Sequence, residues 1–363
     1  MRKETPLDEW IAVDSSEFRL PAKLVEQRIA EVHAGLDQLE HMLDNPPPPK
    51  RYNLMDVRLS ARWGGMLAIE DLSRTQKLYR RVYETGGTGS LYIQEELLEL
   101  IARTADATTI PFWLGLLDLN KPRDTFANKR RDLVCSALGL LMFHDNEVAT
   151  DALWQSTQHP LQDVRVSALY AIRQVLNRRH RKPAKAITQR LTDIATRDFS
   201  SAVRYLARLT LRTLSLPVLL DNPGGTYAFK VKIKRVKHLY RTIELRSEQT
   251  LSQLLGAILR ALAWDWDHLH AFYMNGNERD PRFEASNGQG DGTPLLSDEA
   301  VLGELGLLLK HRFSCNYDFG DDHWFEIEVV GIHAHAEPVR GDYPRVIDSQ
   351  GDAPEQYWRG EEE

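Results

Sequence analysis

The chain has 363 residues and a mass of 41.6 kDa, which exceeds the roughly 100–200 residues of one domain and predicts two or three folded units. Its 42% hydrophobic and 27% charged residues are typical of globular proteins and exclude a disordered chain, a collagen and a coiled-coil rod. The net charge of −6 is the sum of three unequal blocks: residues 1–162 carry 19 Lys and Arg against 24 Asp and Glu, residues 163–246 carry 19 against 5, and residues 247–363 carry 8 against 23. The basic block predicts either polyanion binding or neutralisation by the acidic block, within one chain or across a dimer.

Membrane and disulfide signals are weak. No apolar run approaches the ~20 residues of a membrane span, and acidic residues interrupt the position of a signal-peptide core. Cys135 and Cys315 cannot supply a four-thiolate zinc site, and both lie in apolar segments that predict free buried thiols. We therefore expect a cytoplasmic protein with no membrane partner.

Residues 1–50 predict one helix followed by a stiff linker. Apolar residues recur at helical spacing from Pro21 to Leu43, and the run from Pro46 to Pro49 prevents the helix from continuing. A tetraproline run favours the polyproline conformation, which acts as a spacer or, alternatively, as an SH3-type ligand.

Residues 51–220 show short helical segments that resemble one another. The segments that start at Leu133 and Val164 lie 31 residues apart, and those that start at Val164 and Val203 lie 39 apart. The stretch 159–176 resembles the second helix of a HEAT repeat, with Ala168 and Ala171 permitting close helix contact. The resemblance covers about 90–216 and predicts a HEAT-like α-helical solenoid, in which stacked hairpins cover each other's apolar faces. A plain helical bundle is the alternative.

The turn cluster from Leu220 to Thr226 predicts a domain boundary, because the apolar period changes there from helical to alternating. Beyond it, strands at 229–233 and 241–245 are followed by a helix that starts with the capping box of Thr250 and Gln253. Further strands are predicted at 268–274, 313–317 and 325–330. Residues 226–358 are therefore predicted to form an α+β domain of order β-β-α-β-β with a further β-strand after a loop and a short helix, similar to a β-grasp sheet with one main helix.

Two segments of this domain carry a family resemblance. WDWDHLHAF at 264–272 and YDFGDD at 317–322, with the strand FKVKIKRV and the helix TLSQLLGAILRALAW, resemble the Ri-plasmid open-reading-frame-three family, also called TnpR-like passenger proteins of insertion elements. The resemblance covers about 227–358. It implies a fold and an association with bacterial mobile elements, but no established chemistry.

The chain departs from the family after the YDFGDD turn. Family members continue with Trp, one residue and His, whereas this chain has His323, Trp324 and Phe325, and its tail has no cysteine. Within the turn, we expect Gly320 to adopt a positive φ, Asp318 and Asp322 to cap amides, and Phe319 to plug the sheet.

The α+β domain is predicted to present an exposed aromatic and acidic patch for binding. The patch residues are Trp264, Trp266, Asp267, His268, His270, Tyr317, Asp318, Asp321, Asp322, His323 and Trp324. The same histidines and aspartates also allow two alternatives, a divalent-cation site and a metal-dependent hydrolase. The D-x-x-D-D spacing lacks the ligand set of a calcium loop, and no catalytic motif is complete, so we predict no cofactor, no metal ligand and no catalytic residue.

A second candidate surface lies in the basic block. The candidate nucleic-acid contacts are Arg165, Arg173, Arg178, Arg179, Arg181, Lys182, Arg204, Arg208 and Arg212. The last three recur every four residues and form one stripe on a helix.

Taken together, these patterns predict a non-enzymatic adaptor that binds a protein partner through the solenoid and the patch. The alternative is a mobile-element or plasmid accessory protein that binds nucleic acid non-specifically through residues 163–246.

Overall fold

The structure is a computed structural model, and it describes residue 7 and residues 21–46, 53–59, 61, 67–119, 124–179, 183–274, 282–284, 296–335 and 342–357. The chain forms two compact units, here named the helical unit, within Glu4–Lys182, and the sheet unit, within Pro183–Glu363. The multidomain α and α+β class predicted from the sequence is therefore present. Among the described residues, no helix combines the length and the apolar character that crossing a bilayer requires.

The helical unit consists of seven described helices. They are α1 (Ala22–Asp44), α2 (Ile69–Thr85), α3 (Ser90–Arg103), α4 (Ile110–Leu117), α5 (Ala127–Phe143), α6 (Glu147–Ser156) and α7 (Gln162–Arg179). The predicted N-terminal helix is confirmed as α1, whereas the linker residues 47–50 lie outside the described part of the chain.

Most consecutive helices of this unit pack on each other. The contacts join α1 with α2, α2 with α3, α4 with α5, α5 with α6, and α6 with α7. Alternate helices also touch in order, α3 on α5 and α5 on α7. A Cβ added to Gly139 of α5 would lie 3.2 Å from the Cβ of Ala171 of α7. The predicted close helix contact at Ala171 is therefore confirmed.

The sheet unit begins with two helices and continues with a seven-stranded sheet. Its elements are α8 (Lys185–Arg197), α9 (Ser201–Thr213), β1 (Thr226–Ile233), β2 (Tyr240–Arg246), α10 (Leu251–Leu262), β3 (His270–Tyr273), β4 (Arg282–Glu284), β5 (Arg312–Tyr317), β6 (His323–His333) and β7 (Arg345–Gln350). The strand order is β4-β3-β5-β6-β1-β2-β7, and every pairing is antiparallel. The five predicted strands and the helix are present in the predicted order, as β1, β2, α10, β3, β5 and β6, and β4 and β7 extend the sheet at its two edges.

Helix α10 starts where the sequence predicts. The Thr250 hydroxyl accepts from the Gln253 amide at 3.3 Å, and the Gln253 side chain accepts from the Thr250 amide at 2.9 Å. These two bonds satisfy donors that a helix start leaves unpaired. The apolar face of α10 packs against β2, and Phe229 and Phe325 are buried in the sheet core.

Helix α9 belongs with the sheet, although the sequence places the boundary after it, at 220–226. The Arg208 guanidinium is buried and donates to Asp221 at 2.9 Å and to the Glu304 carbonyl at 2.7 Å. Arg212 pairs with the Glu304 carboxylate, and Arg204 donates to the Gly306 carbonyl at 2.9 Å. The change of apolar period at 220 thus marks a change of secondary structure inside one compact unit.

Candidate functional site

The candidate site lies at one end of the sheet, where the 264–269 segment enters β3 and the 318–322 turn joins β5 to β6. Antiparallel pairing of His270 with Tyr317 brings the two segments side by side. The Asp318 amide also donates to the Leu269 carbonyl at 2.9 Å. The two sequence motifs are therefore neighbours in space, although about 50 residues separate them in the chain.

The turn is held by Asp318. Its Oδ1 accepts from the Gly320 amide at 2.9 Å and from the Asp321 amide at 3.3 Å, as predicted for a capping aspartate. The expected positive φ at Gly320 is wrong, because Asp318 and Asp322 adopt the left-handed conformation instead, both with φ of 57°. Aspartate tolerates this region because its side chain bonds to local amides. Phe319 does not plug the sheet and is 45% exposed.

A hydrogen-bond network connects the 264–269 segment to the C-terminal tail. The Tyr357 hydroxyl donates to Asp267 Oδ2 at 2.8 Å, and the Tyr317 hydroxyl donates to the Asp265 carbonyl at 2.6 Å. The Trp264 indole donates to the Pro354 carbonyl at 2.8 Å. The bond from Tyr357 lowers the pKa of Asp267 and raises that of Tyr357 to about 12, so Asp267 stays charged near neutral pH.

Three aromatic side chains at this end of the sheet are exposed: Trp266 by 48%, Phe319 by 45% and Tyr357 by 54%. With the exposed aspartates Asp265 and Asp267 they form what we name the end patch. The Trp266 ring lies at right angles to His270, and a Cβ added to Gly256 would lie only 2.7 Å from that ring. Trp266 is thus fixed against α10 while half of its surface faces solvent.

Several residues predicted for the patch are buried instead. Trp264, His270, Tyr317 and Asp318 are each less than a tenth exposed. His270 Nε2 lies 2.8 Å from the hydroxyl oxygen of buried Ser297, and burial lowers the pKa of His270 to about 4. These side chains support the site from within, whereas Asp267, Asp321 and Asp322 are exposed and His268, His323 and Trp324 are partly exposed.

Sequence reasoning missed Ser297, Gln356 and Tyr357. Gln356 accepts from the Asp265 amide at 2.7 Å, about 90 residues away in the chain. The resemblance to the Ri-plasmid family extended over this tail and was the only signal that linked it to the site.

The site also contains a cluster of potential metal ligands. Asp318, Asp321 and His323 each offer one donor atom, and these three atoms lie within 4.8 Å of one another. We name these three residues the cation cluster. Asp322 points its Oδ1 elsewhere, accepting from Asn316 at 2.9 Å and from the Trp324 indole at 2.7 Å.

The arginines predicted to form a nucleic-acid surface are engaged within their own units. Arg204, Arg208 and Arg212 face the segment from Glu299 to Gly306, so they do not form an open stripe. The remaining candidates lie in or next to α7. Arg165 donates to the His159 and Pro160 carbonyls, and Arg179 donates to Asp145 and to the Phe143 carbonyl. Arg173 and Arg178 also have partners, whereas Arg181 and Lys182 lie outside the described residues. The four-residue spacing predicts a shared face but not what covers it.

A different basic surface lies on the sheet. Lys230 and Lys232 alternate on the face of β1 opposite its buried residues, and Lys234 follows directly after the strand. With Arg312 and Trp324 these lysines line a groove of about 830 Å³ that also contains Glu326 and Glu328. We name it the lysine groove. Lys230 lies 3.8 Å from the ring centre of Tyr240, and Lys234 lies 5.3 Å from that of Trp324.

The sheet, helix α10 that packs on it and the end patch define an α+β module with an exposed aromatic surface. Residues 225–362 match a family model described as plasmid pRiA4b ORF-3-like protein, which supports the resemblance seen in the sequence. The chain is also similar to the crystal structure of MM3350, a protein of unknown function from Methanosarcina mazei Go1. That similarity has 25% identity and a TM-score of 0.31, and it covers 37% of this chain and 73% of the other. The chain has no match among curated proteins.

Proposed function

We propose that the protein is a non-enzymatic adaptor whose sheet unit binds a basic segment of a protein partner at the end patch. The observation that carries this proposal is the fixed exposure of Trp266, which Gly256 and His270 hold in place with 48% of its surface open. A large aromatic side chain that is already ordered loses little conformational entropy on binding, and tryptophan and tyrosine dominate binding energies at interfaces.

The charges around Trp266 indicate the chemistry of the partner. Asp265 and Asp267 flank it, and the bond from Tyr357 keeps Asp267 ionised near neutral pH. Arginine and lysine side chains pair with carboxylates and also pack on aromatic faces. A partner segment that combines Arg or Lys with an apolar anchor therefore fits this surface best.

The test is a random-peptide display selection on the immobilised full-length protein, followed by affinity measurements on the selected peptides. We expect basic peptides with an apolar or aromatic residue. Trp266→Ala and Asp267→Asn should each weaken them by about tenfold or more. The matched controls are Tyr92→Ala and Asp151→Asn, which change an exposed aromatic and an exposed aspartate in the helical unit. Acidic selected peptides, or equal losses in the controls, would contradict the proposal.

We also propose that the helical unit is a short HEAT-like stack that presents a second binding surface. The ordered contacts of the alternate helices α3, α5 and α7 support this architecture because each helical hairpin then covers the next. A plain bundle would not require this serial order.

The second candidate function is non-specific nucleic-acid binding, and the lysine groove favours it. Alternate lysines on a strand lie about 6.8 Å apart, which is twice the ~3.4 Å rise per nucleotide of a stacked strand. Trp324 offers a ring on which a base can stack. The full-length protein should then bind a single-stranded oligonucleotide with steep salt dependence, and Lys232→Glu should weaken binding while Lys237→Glu, outside the groove, should not. Failure to bind even at low salt would remove this candidate.

A hydrolytic role has less support. Ser297 is the hydroxyl that contacts His270, and it is 1% exposed, so it cannot attack an external substrate in this conformation.

A further inference from the structure

We propose that the cation cluster of Asp318, Asp321 and His323 binds one divalent transition-metal ion, with zinc as the representative probe. This inference is independent of the peptide-binding proposal, because its ligands are not members of the end patch. It also departs from the sequence prediction, which found no metal ligands in the spacing of these residues.

The first argument is the convergence of unlike ligands. The turn and the start of β6 bring two carboxylates and one imidazole together, with donor atoms within 4.8 Å of one another. Donors around a tetrahedral zinc ion lie about 3.3 Å apart, so zinc binding requires the three donor atoms to move closer together. Water or a partner group would complete the coordination.

The second argument is the orientation of Asp318. This carboxylate is buried, and its Oδ1 is held by the amides of Gly320 and Asp321. Its Oδ2 lies 3.4 Å from His268 Nε2, and that imidazole lies 3.1 Å from the Tyr357 hydroxyl. Metal ligands are commonly oriented by such outer hydrogen bonds, so Asp318 is pre-positioned to offer one oxygen.

The third argument concerns His323. Its Nε2 is buried and has no hydrogen-bond partner among the described residues, while its ring packs 4.8 Å from that of Trp264. An imidazole nitrogen buried without a partner is costly. A ligand set that includes imidazole favours zinc and related transition metals over calcium and magnesium, which prefer oxygen alone.

The experiment is calorimetric titration of chelator-treated, untagged full-length protein with Zn²⁺, and with Ca²⁺ and Mg²⁺ in parallel. We expect one zinc ion per chain and weaker binding of the other two ions. Asp321→Asn and His323→Gln should each lower the zinc affinity by more than about tenfold. Asp321 is exposed, so its replacement should leave the fold intact even if the His323 variant disturbs packing on Trp264.

Two variants serve as matched controls. Asp322→Asn changes the neighbouring aspartate, whose Oδ1 bonds to Asn316 and Trp324, and His335→Gln changes an exposed histidine beyond β6. Both should bind zinc as the wild type does. The proposal is overturned if the wild type does not bind zinc, if Asp321→Asn binds it as tightly as the wild type, if only His335→Gln loses it, or if calcium binds as tightly as zinc.

Discussion

His270 is a buried histidine in a strand whose other residues are apolar. Its imidazole contacts Ser297 on one side and the Trp266 and Phe272 rings on others, and burial lowers its pKa to about 4 from the ordinary 6.5. Protonation therefore disfavours the folded state, because the unfolded chain takes up the proton first as the pH falls.

This predicts a pH-dependent stability with a defined sign. The contribution of His270 should be fully present above pH 6.5 and be lost between pH 6.5 and about 4, by about 3 kcal/mol in total. Urea unfolding of the wild type and of His270→Gln at pH 7, 6 and 5 measures it. The difference in unfolding free energy between the two proteins should change with pH. If the two curves run parallel, His270 is not the titrating group.

Residue types alone could predict some of these details but not others. The Thr250 and Gln253 pair predicted both capping bonds, because a capping box is a local pattern. The exposure of His270 and Trp266 could not be predicted, because it depends on Ser297 and Gly256 approaching from other parts of the chain. The predicted exposed patch was consequently correct for Trp266 and wrong for His270 and Tyr317.

At the scale of elements, the contact between α5 and α7 depends on a missing side chain. A Cβ at Gly139 would lie 2.8 Å from the Leu7 side chain and 3.2 Å from the Ala171 Cβ, whereas a Cβ at Gly115 of α4 has nothing within 4 Å. Both glycines lie inside helices, so both gain the same helix propensity when replaced by alanine.

Gly139→Ala and Gly115→Ala should therefore differ in stability. We expect Gly115→Ala to leave the free energy of unfolding unchanged or to raise it by up to about 1 kcal/mol. The Gly139→Ala variant should have a free energy of unfolding about 1–3 kcal/mol lower than that of the Gly115→Ala variant, because the added Cβ overpacks the contact. Thermal unfolding of both variants measures the difference. Equal melting temperatures would show that α5 and α7 adjust without cost.

Element order and type were largely predictable, since the helical and alternating periods persist over many residues. The surroundings of an element were not. The period of α9 placed Arg204, Arg208 and Arg212 on one face, but their partners lie about 90 to 100 residues further along the chain. A helix face lined with arginines has the same sequence pattern whether the arginines contact nucleic acid or backbone carbonyls.

For the whole molecule, the division of the chain predicts which fragments fold. A fragment of residues 183–363 should unfold cooperatively, because it keeps α9 and the buried pair of Arg208 with Asp221. A fragment of residues 226–363 loses both and exposes the surface around Glu304, so it should be less stable or bind a hydrophobic dye. Circular dichroism during heating measures the melting temperature of each fragment. Equal stability would place the folding boundary at the 220–226 turn.

The arginines of α9 have a consequence for sequence variation. Arg204, Arg208 and Arg212 each donate to a main-chain oxygen of the 299–306 segment, those of Gly306, Glu304 and Glu299. A main-chain oxygen is present whatever the side chain. These three bonds therefore do not depend on which side chains the segment carries, whereas the buried Ala300, Leu302 and Leu305 are constrained by packing. A change at any of the three arginines removes its bond to the main chain.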